Sequence, residues 1–458
     1  MIIYLQMKGG TALALSDDRL EDLTAILGSD RVHRNAPEAS LWGSSPAPVV
    51  FAESEEEIQR VVRWAAETGV SVVPRGRGAY AGYGNRVNRD FVILSLERMS
   101  GVLEHSAGDL TVTVRAGTSL ANLRDHLSRR GQFLPLDPPR PEMTTAGGAV
   151  VTGMTGPKRL KYGSVRDWVI GLRVVLADGR VIRTGGKVVK NVAGYDMNKL
   201  FVGSLGTLGI ITECTFKLRP VPPVEILILL EADDWNAVQR LSRRLLDSPM
   251  EPAAVEAVNG EAMRLFSEAW QAPCGVMVGF EDERSAVEAQ WDRLKSWATE
   301  EGLRLRFALE GGDAAEGWRV LGEAVPGALD PPESETAVVA KGITLPDRVP
   351  EMLRAVDEVS SEEDLRAIAH GGAGTGVVRA VLRAPKERLN ALTAALKRLR
   401  GRFEEPGGYL VLEQAPLEVK ERIPVWGRSP GGLFMMRRLK ERLDPDGRLN
   451  PGRFVGGI

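Results

Sequence analysis

Residues 74–85 form the part of the sequence best suited to bind an anion. The stretch reads PRGRGAYAGYGN and contains four glycines, Gly76, Gly78, Gly82 and Gly84. Because glycine lets the backbone turn successive N–H groups into one concavity, this loop suits a pyrophosphate. Its G-x-G-x-x-x-G spacing is not the Rossmann G-x-G-x-x-G, and the chain has no G-K-[ST], which a P-loop requires. An ordinary glycine-rich connection is the alternative.

A second stretch, residues 134–171, combines rigid prolines with hydroxyl groups and paired glycines. It reads LPLDPPRPEMTTAGGAVVTGMTGPKRLKYGSVRDWVIG. Thr144, Thr145 and Ser164 offer hydroxyls, and Gly147 and Gly148 allow a close backbone approach. The stretch is therefore a candidate lining of a ligand site.

A third stretch, residues 183–223, contains the run KNVAGYD, two glycine-rich turns and a strand. Gly203, Gly206 and Gly209 recur every three residues before the strand, and glycine there lets a second backbone or a flat ligand come close. The strand alternates, and one face carries Ile210, Thr212, Cys214, Phe216 and Leu218. A tight turn into a core strand is the alternative interpretation.

The elements that position these stretches alternate between strands and helices. Residues 48–51 predict a strand, residues 54–69 a capped helix and residues 70–73 a second strand. This strand–helix–strand unit leads directly into the glycine loop of residues 74–85. The pattern further predicts a strand at 110–114, a helix at 120–127 and a hairpin within 174–182.

Composition excludes several classes of function. The chain has 458 residues, with 59 Lys and Arg against 61 Asp and Glu, and no long run of one charge, so nucleic acid is not an expected partner. Two cysteines cannot hold an iron–sulfur cluster, which takes four thiolates. Four scattered histidines without H-E-x-x-H spacing predict no metal site. The sequence predicts a cytoplasmic protein without membrane insertion, because it shows neither a signal peptide nor an apolar span.

The ordered set of glycine-rich motifs resembles a known family. PRGRG, TTAGG, GSVRDWVIGLRVVLADG and GSLGTLGIITE, in this order, are similar to the FAD-binding domain of the vanillyl-alcohol oxidase (PCMH) superfamily. More narrowly, GGKVVKNVAGYD, GSLGTLG and LKERLDPDGRLNPGRFVGGI resemble the FAD-binding E subunit of bacterial glycolate oxidase. Leu205 stands where the catalytic subunit of that enzyme usually has glutamate, and this departure favours the E-type subunit.

The resemblance implies FAD lying between two α+β subdomains. Relatives that attach FAD covalently use a histidine or cysteine near the pyrophosphate loop; residues 75–85 contain neither, so we expect non-covalent FAD. The implied contacts to the pyrophosphate are Arg75, Gly76, Arg77, Gly78, Ala79 and Tyr80. The residues implied to line the flavin are Asp137, Thr145, Gly147, Gly148, Gly153 and Ser164, and the backbone of Ile211 meets its far end.

The same resemblance divides this α+β chain into four parts. These are an N-terminal helix and lead-in at 1–40, the PCMH-type FAD-binding domain at 41–223, a cap domain at 224–435 and a C-terminal segment at 436–458 that returns to the FAD domain. Strand and helix patterns alternate through the cap. They predict a ferredoxin-like α+β arrangement, with one sheet and helices on one face.

The cap offers few groups for chemistry. Flavin oxidation of a 2-hydroxy acid needs a base for the hydroxyl proton and a cation for the carboxylate. His370, at the end of a predicted strand, is the one histidine placed as a base, and Arg379 and Arg383 share a face of the next strand. Related dehydrogenases carry a histidine-rich metal motif here, but this chain has a single histidine in HGGAGTG. The alternative interpretation is that His370 ends a strand without a catalytic role and that the two arginines lie on a solvated face of their strand.

The resemblance implies an FAD-dependent oxidoreductase that acts on CH–OH groups. In the first hypothesis the chain is the FAD-binding subunit of a glycolate-type complex, with a second FAD-binding catalytic subunit and an iron–sulfur subunit as partners, through which it could associate with a membrane. In the second it is a D-lactate-like dehydrogenase that is active by itself; in the third it is a scaffold or electron relay without a substrate site. A nucleotide-binding module without flavin would rest on the glycine loops alone. The isolated histidine favours the complex and predicts little flavin reduction by the isolated chain.

Overall fold

The computed structural model describes residues 15–42, 47–87, 89–186, 195–325 and 335–458. Most of the KNVAGYD run, at 190–194, and the predicted surface loop DPPE at 330–333 lie outside the described residues. Nineteen strands within the described ranges form sheets of four, five, two and eight strands. The helices and strands are named below in chain order.

The first sheet has four strands in the order β1-β2-β4-β3. Strands β2 and β3 both run parallel to β4, as a strand–helix–strand unit requires. Ser54 caps the connecting helix by accepting a hydrogen bond from Glu57 N at 3.2 Å, and Gly69 ends it with a φ of 79°. The predicted unit is confirmed. Its elements are α1 (Asp17–Leu27), β1 (Val32–His33), β2 (Val49–Phe51), α2 (Glu55–Thr68), β3 (Ser71–Arg75) and β4 (Phe91–Ser95).

The second sheet has five antiparallel strands in the order β5-β6-β10-β8-β9, with β7 and β11 paired beside it. The alternation predicted for β10 is confirmed for Thr212, Cys214 and Phe216, which are fully buried, but Ile211 on the other face is also buried. The elements are β5 (Val102–Ser106), β6 (Thr111–Arg115), α3 (Leu120–Ser128), β7 (Gln132–Phe133), α4 (Ala146–Thr152), α5 (Arg159–Tyr162), α6 (Val165–Trp168), β8 (Val169–Val175), β9 (Val181–Gly185), α7 (Asn198–Phe201), β10 (Ile210–Lys217) and β11 (Arg219–Pro220).

The third sheet, called here the large sheet, has eight antiparallel strands in the order β15-β12-β14-β13-β17-β18-β16-β19. Its elements are β12 (Val224–Ala232), α8 (Trp235–Leu246), β13 (Ala254–Asn259), α9 (Gly260–Met263), β14 (Cys274–Asp282), α10 (Arg284–Glu300), β15 (Arg304–Glu310), α11 (Gly312–Glu323), β16 (Glu335–Ile343), α12 (Val349–Glu362), β17 (Arg366–Gly372), β18 (Val377–Pro385), α13 (Leu389–Glu404) and β19 (Tyr409–Gln414). Helices α14 (Leu417–Lys420) and α15 (Leu433–Leu443) follow.

Helices cover both faces of the large sheet. Residues of α8, α10, α12 and α13 pack with Ile228 and Leu230 on one face. Residues of α9 and α11 pack with Leu227 and Leu229 on the other. The expectation that helices lie on one face is wrong, because β12 is apolar on both faces and each face must be buried.

The C-terminal segment is hydrogen-bonded to the first sheet and to the glycine loop. Val72 N donates to Arg448 O, and Asn450 N donates to Val72 O, both at 2.9 Å. The buried Arg453 guanidinium donates to the carbonyls of Ala81 and Tyr83. Hydrogen bonds from the C-terminal segment therefore help to hold the loop of residues 74–85 in place. Among the helices that the structure describes, none combines the length and the apolar character of a membrane span.

Candidate functional site

The glycine loop after β3 lies against the start of α4. A Cβ on Gly76 would come within 2.4 Å of Thr145 Oγ1, so this approach requires glycine. Thr145 caps α4 by accepting a hydrogen bond from Gly148 N at 3.1 Å. Gly78 has a φ of 84°, a conformation that side chains other than glycine rarely adopt. The loop and α4 therefore form one continuous wall.

Arg77 gives the loop an unsatisfied donor. Its Nε atom is buried and has no hydrogen-bond partner among the described residues. Buried polar groups are normally hydrogen-bonded, so an exception indicates a missing partner. An anionic pyrophosphate beside the loop would satisfy this donor, and the residues present fit FAD in this respect. Neighbouring Arg75 forms an ion pair with Glu97 at 3.7 Å.

Tyr80 joins the glycine loop to the proline-rich loop of residues 134–141. The hydroxyls of Tyr80 and Thr144 both donate to Pro139 O, at 2.7 and 2.9 Å. Burial raises the pKa of Tyr80, so its hydroxyl stays protonated and keeps donating. Ala79 is buried beside it, and its carbonyl lies 3.4 Å from Gln414 Nε2 of β19. The large sheet therefore contacts the glycine loop directly.

Asp137 lies on the proline-rich loop and holds the turn that follows α4. Its carboxylate accepts hydrogen bonds from Gly156 N at 3.0 Å and Lys158 N at 2.7 Å. A Cβ on Gly156 would come within 2.1 Å of Asp137 O, so the two backbones touch. Burial raises the pKa of this carboxyl. The carboxyl thus joins the proline-rich loop to the turn that follows α4.

The paired glycines of α4 have different structural roles. Gly147 packs on Ala116, because its N–H donates to Ala116 O at 2.8 Å and a Cβ would come 2.8 Å from Ala116 Cβ. A Cβ on Gly148 would meet only Thr145 Oγ1, at 3.0 Å. Gly153 ends α4 with a φ of 64°. The structure therefore explains Gly147 and Gly153 by packing and capping, and leaves Gly148 at the open side of α4.

Ser164 and Ile211 lie apart from the loop contacts described so far. Ser164 caps α6, and its hydroxyl donates to Asp167 Oδ2 at 2.9 Å. Ile211 is buried in β10 opposite Val174 of β8. The ladder between β10 and β6 begins at Glu213, so the backbone of Ile211 lies beyond it. Ile211 is therefore paired with β8 and lies outside the ladder to β6.

A row of five ionisable side chains crosses the large sheet, and we call it the polar row. His370 of β17 lies opposite Arg379 of β18, and Arg379 lies opposite Lys341 of β16. Glu256 of β13 is the diagonal neighbour of His370, and Glu413 of β19 sits at a register shift opposite β16. Directly opposed residues on paired strands point to the same face. Register therefore collects residues from five strands on one face.

His370 is held by a carboxylate. Its Nδ1 lies 2.7 Å from Glu256 Oε2, and both residues are buried, with 8% and 4% of their surface exposed. With Nδ1–H directed at the carboxylate, Nε2 is the remaining ring nitrogen and carries the lone pair. A histidine oriented in this way is suited to accept a proton.

Glu413 is shared by two cations. Arg379 Nε lies 2.9 Å from Glu413 Oε2, and Lys341 Nζ lies 3.2 Å from Oε1. Burial opposes ionisation of Glu413, but the two cations outweigh it and lower its pKa to about 2. Burial lowers the pKa of Lys341. With Lys341 protonated, these three groups carry one surplus positive charge, which the Glu256 carboxylate offsets within the polar row while His370 is neutral.

A cavity of about 530 Å³ opens between the large sheet and the proline-rich loop. His370 and Arg379 line it from the sheet, and Asp137 lines it from the loop. Arg379 also lies 3.2 Å from Met154 Sδ, so the sheet meets the end of α4 here. Arg383 is not brought to this cavity, because it pairs with Arg366 four residues further along β18.

Sequence reasoning did not find Glu256, Lys341 and Glu413. Each is a charged residue in an otherwise apolar strand, in AVEAVN, AVVAKGI and YLVLEQ. Charged residues are seldom fully buried unless they are paired, so an isolated charge in a buried strand is a signal of a polar site. The partners themselves depend on strand register, which the sequence did not show.

Two family models match the chain. A model described as "FAD binding domain" matches residues 46–185, and one described as "FAD linked oxidases, C-terminal domain" matches residues 221–454, which is slightly more than half of the chain. The solved structure of p-cresol methylhydroxylase superposes with a TM-score of 0.75 at 17% identity, covering 97% of this chain and 98% of that chain. At this identity the likeness shows the fold alone, and it confirms the predicted α+β PCMH-type fold.

Two relatives carry names of glycolate oxidase subunits. "Glycolate oxidase subunit GlcD" of Bacillus subtilis is 28% identical over 423 residues, 90% of this chain and 89% of that protein. "Glycolate oxidase subunit GlcE" of Escherichia coli is 40% identical over 143 residues, but these are 31% of this chain and 41% of that protein. The narrower resemblance to the E subunit thus covers only part of the chain. The chain belongs to the FAD-linked oxidases, and its cofactor is FAD.

Proposed function

We propose that the chain oxidises the CH–OH group of a small 2-hydroxy acid, as the FAD-binding subunit of a glycolate-oxidase-type complex. The observation that carries this proposal is the pairing of His370 with Glu256, next to Arg379 in one cavity. A proton acceptor and a cation are the two groups that such an oxidation needs from the protein. The residue assignments for FAD and the four-part division of the chain remain part of this proposal.

Four of the five members of the polar row have a task in this reaction. Arg379, which lines the cavity, attracts the substrate carboxylate, and Lys341 offsets part of the charge of Glu413, the partner that it shares with Arg379. His370 Nε2 takes the hydroxyl proton, and Glu256 holds the ring and stabilises the imidazolium that results. FAD, when bound, supplies the acceptor for the hydride of the α-carbon. Arg77 and Gly78 hold the pyrophosphate at the other end of the cofactor.

Membership of a complex is supported by the relatives and by the cysteines. Both reported relatives are named as subunits of glycolate oxidase. Cys214 and Cys274 are buried and unpaired, and burial raises the pKa of Cys274 to about 12, so neither thiol is reactive. Electrons therefore leave this chain for an acceptor elsewhere. We propose a second FAD-binding subunit and an iron–sulfur subunit as partners.

A second candidate function is FAD binding without substrate chemistry, in which another subunit oxidises the acid. The observation that favours it is the neutralisation of Arg379 by Glu413 at 2.9 Å, which leaves Arg379 partly engaged before any substrate arrives. The two candidates differ in whether the flavin of the isolated chain is reduced in a single turnover.

Replacement of His370 by alanine separates the two candidates. The sequence alone predicted little flavin reduction by the isolated chain, but the pairing of His370 with Glu256 changes that expectation. We now expect an anaerobic 2-hydroxy acid to reduce the flavin of the isolated chain, and His370→Ala to slow this reduction by about 100-fold or more, because a general base is lost. Stopped-flow absorbance measures the rate. His33→Ala, which removes an exposed histidine of β1, is the control and should leave the rate unchanged. A flavin that is reduced only when partner subunits are present, with no effect of His370→Ala, would establish the second candidate.

FAD should be bound without a covalent link. Residues 75–85 contain neither histidine nor cysteine, and the described cysteines are buried in β10 and β14. Acid precipitation of the yellow protein should therefore release FAD into the supernatant, where chromatography distinguishes it from FMN. A flavin that stays in the pellet would show a covalent attachment.

A further inference from the structure

The cavity beside the polar row is mostly walled by apolar side chains. Helix α11 forms one wall and the proline-rich loop forms the other, and the apolar residues include Leu134, Pro139, Val221, Trp318, Leu321 and Val325. Trp318 and Leu321 belong to the buried cluster of α11 on the large sheet, so this wall is fixed by packing. The cavity has the size of a small-molecule binding site, since such sites measure about 300–1,000 Å³.

This cavity extends beyond the path assigned to FAD. Of the described residues that we assign to FAD, Asp137 is the one that also lines the cavity, whereas the glycine loop and Thr145 do not. His370 and Arg379 line it as well. A ligand whose carboxylate and hydroxyl meet the polar row therefore has apolar space left for the remainder of its structure.

We propose that this cavity, the side-chain chamber, receives a branched aliphatic or aromatic side chain of the 2-hydroxy acid, an inference that rests on the proposed function. Transfer of apolar surface from water into an apolar chamber is favourable in proportion to the area removed. Glycolate has no side chain and leaves the chamber filled by water or empty. Each methylene group that fits such a pocket improves discrimination in favour of the larger substrate over the smaller one by about 10-fold or more. Phenyllactate and 2-hydroxyisocaproate are the matching acids.

Gly322 offers a variant that fills the chamber without disturbing the fold. It lies in α11 and lines the chamber, and a Cβ there would have Pro139 Cα as its nearest described neighbour, at 3.9 Å. Leucine is a better helix former than glycine, so Gly322→Leu retains α11 while its side chain extends toward the opposite wall. Gly401 of α13 is the matched control, because a Cβ there meets nothing within 4 Å.

Binding of carboxylates that cannot be oxidised tests the chamber without catalysis. Phenylpropanoate and propanoate both lack the hydroxyl, and only phenylpropanoate carries an aromatic ring. Calorimetric titration of the FAD-loaded chain measures the dissociation constant of each compound. We expect phenylpropanoate to bind at least about 10-fold more tightly than propanoate. Gly322→Leu should remove this preference and Gly401→Leu should retain it. Equal affinities in the wild type, or a preference that survives Gly322→Leu, would overturn the inference.

Flavin reduction then separates this inference from the proposed function. We expect kcat/KM for phenyllactate to exceed that for glycolate by at least about 100-fold. If glycolate reduced the flavin as fast as phenyllactate does, the inferred role of the side-chain chamber would be overturned and the proposed function would be supported. A second outcome would support the side-chain chamber as a binding site and overturn the proposed function. In that outcome phenylpropanoate binds selectively and in a Gly322-dependent way, but no 2-hydroxy acid reduces the flavin.

Discussion

Replacing Gly78 with tryptophan should leave the purified protein without FAD. The φ of Gly78 is 84°, and a non-glycine residue in such a conformation is destabilised by about 1–3 kcal/mol. That strain disfavours the loop conformation seen here, and the indole adds bulk where, in the proposed assignment, Arg77 and the backbone N–H groups face the pyrophosphate. The ratio of flavin absorbance to protein absorbance after gel filtration measures the loss.

Gly131 provides the control for this experiment. Its φ is 63°, and a Cβ there would meet nothing within 4 Å, so Gly131→Trp introduces comparable backbone strain at a site remote from the loop. We expect Gly131→Trp to retain FAD, and both variants to keep the far-ultraviolet circular dichroism of the wild type. Wild-type FAD affinity in Gly78→Trp would show that the loop is merely a turn.

The elements that sequence reasoning placed well are those with strong local signals. Helix α2, predicted at 54–69, runs from Glu55 to Thr68, because Ser54 caps it by accepting a hydrogen bond from Glu57 N and its apolar face repeats regularly. Strand β10 alternates as predicted because one face packs into the core. Local periodicity and capping residues determine such elements, and both can be read from the sequence alone.

The elements that were missed depend on tertiary packing. Strand β13 is only six residues long, and Glu256 interrupts its apolar run, yet β14 and β17 pair with it on both sides. Helix α11 contains three glycines, Gly312, Gly317 and Gly322, which are poor helix formers, and is stabilised by packing of Trp318 on the large sheet. Helix α11 lines the cavity, and β13 contributes Glu256, the partner of His370.

The polar row shows why the site was only partly predictable. Sequence spacing placed Arg379 and Arg383 on one face of a strand, but only strand register decides which of them lies opposite His370. Register also brings Lys341 and Glu413 to Arg379 from strands that are distant in sequence. Because these pairings are buried, they carry large electrostatic energies and can be tested by stability measurements.

Glu413→Gln should be the most destabilising of the conservative substitutions in the polar row. The amide preserves the volume of the side chain but leaves the buried Arg379 and the partly buried Lys341 without their shared counter-charge. Loss of one partner of a buried ion pair costs about 3–5 kcal/mol in the free energy of unfolding. Chemical denaturation of the FAD-loaded protein at neutral pH measures this loss. Glu418→Gln, at an exposed glutamate of α14, is the control and should change stability by less than about 0.5 kcal/mol.

The stability difference between wild type and Glu413→Gln should also depend on pH. In the folded protein the pKa of Glu413 is lowered from 4.5 to about 2, so the ionised carboxylate contributes stability that is fully present above pH 4.5. As the pH falls from 4.5 toward 2, the wild type loses this contribution and approaches the variant. Denaturation midpoints measured across this range, relative to Glu418→Gln, should therefore converge on acidification. A difference that stays constant down to pH 2, or that is absent at neutral pH, would show that Glu413 is not the counter-charge of Arg379 and Lys341.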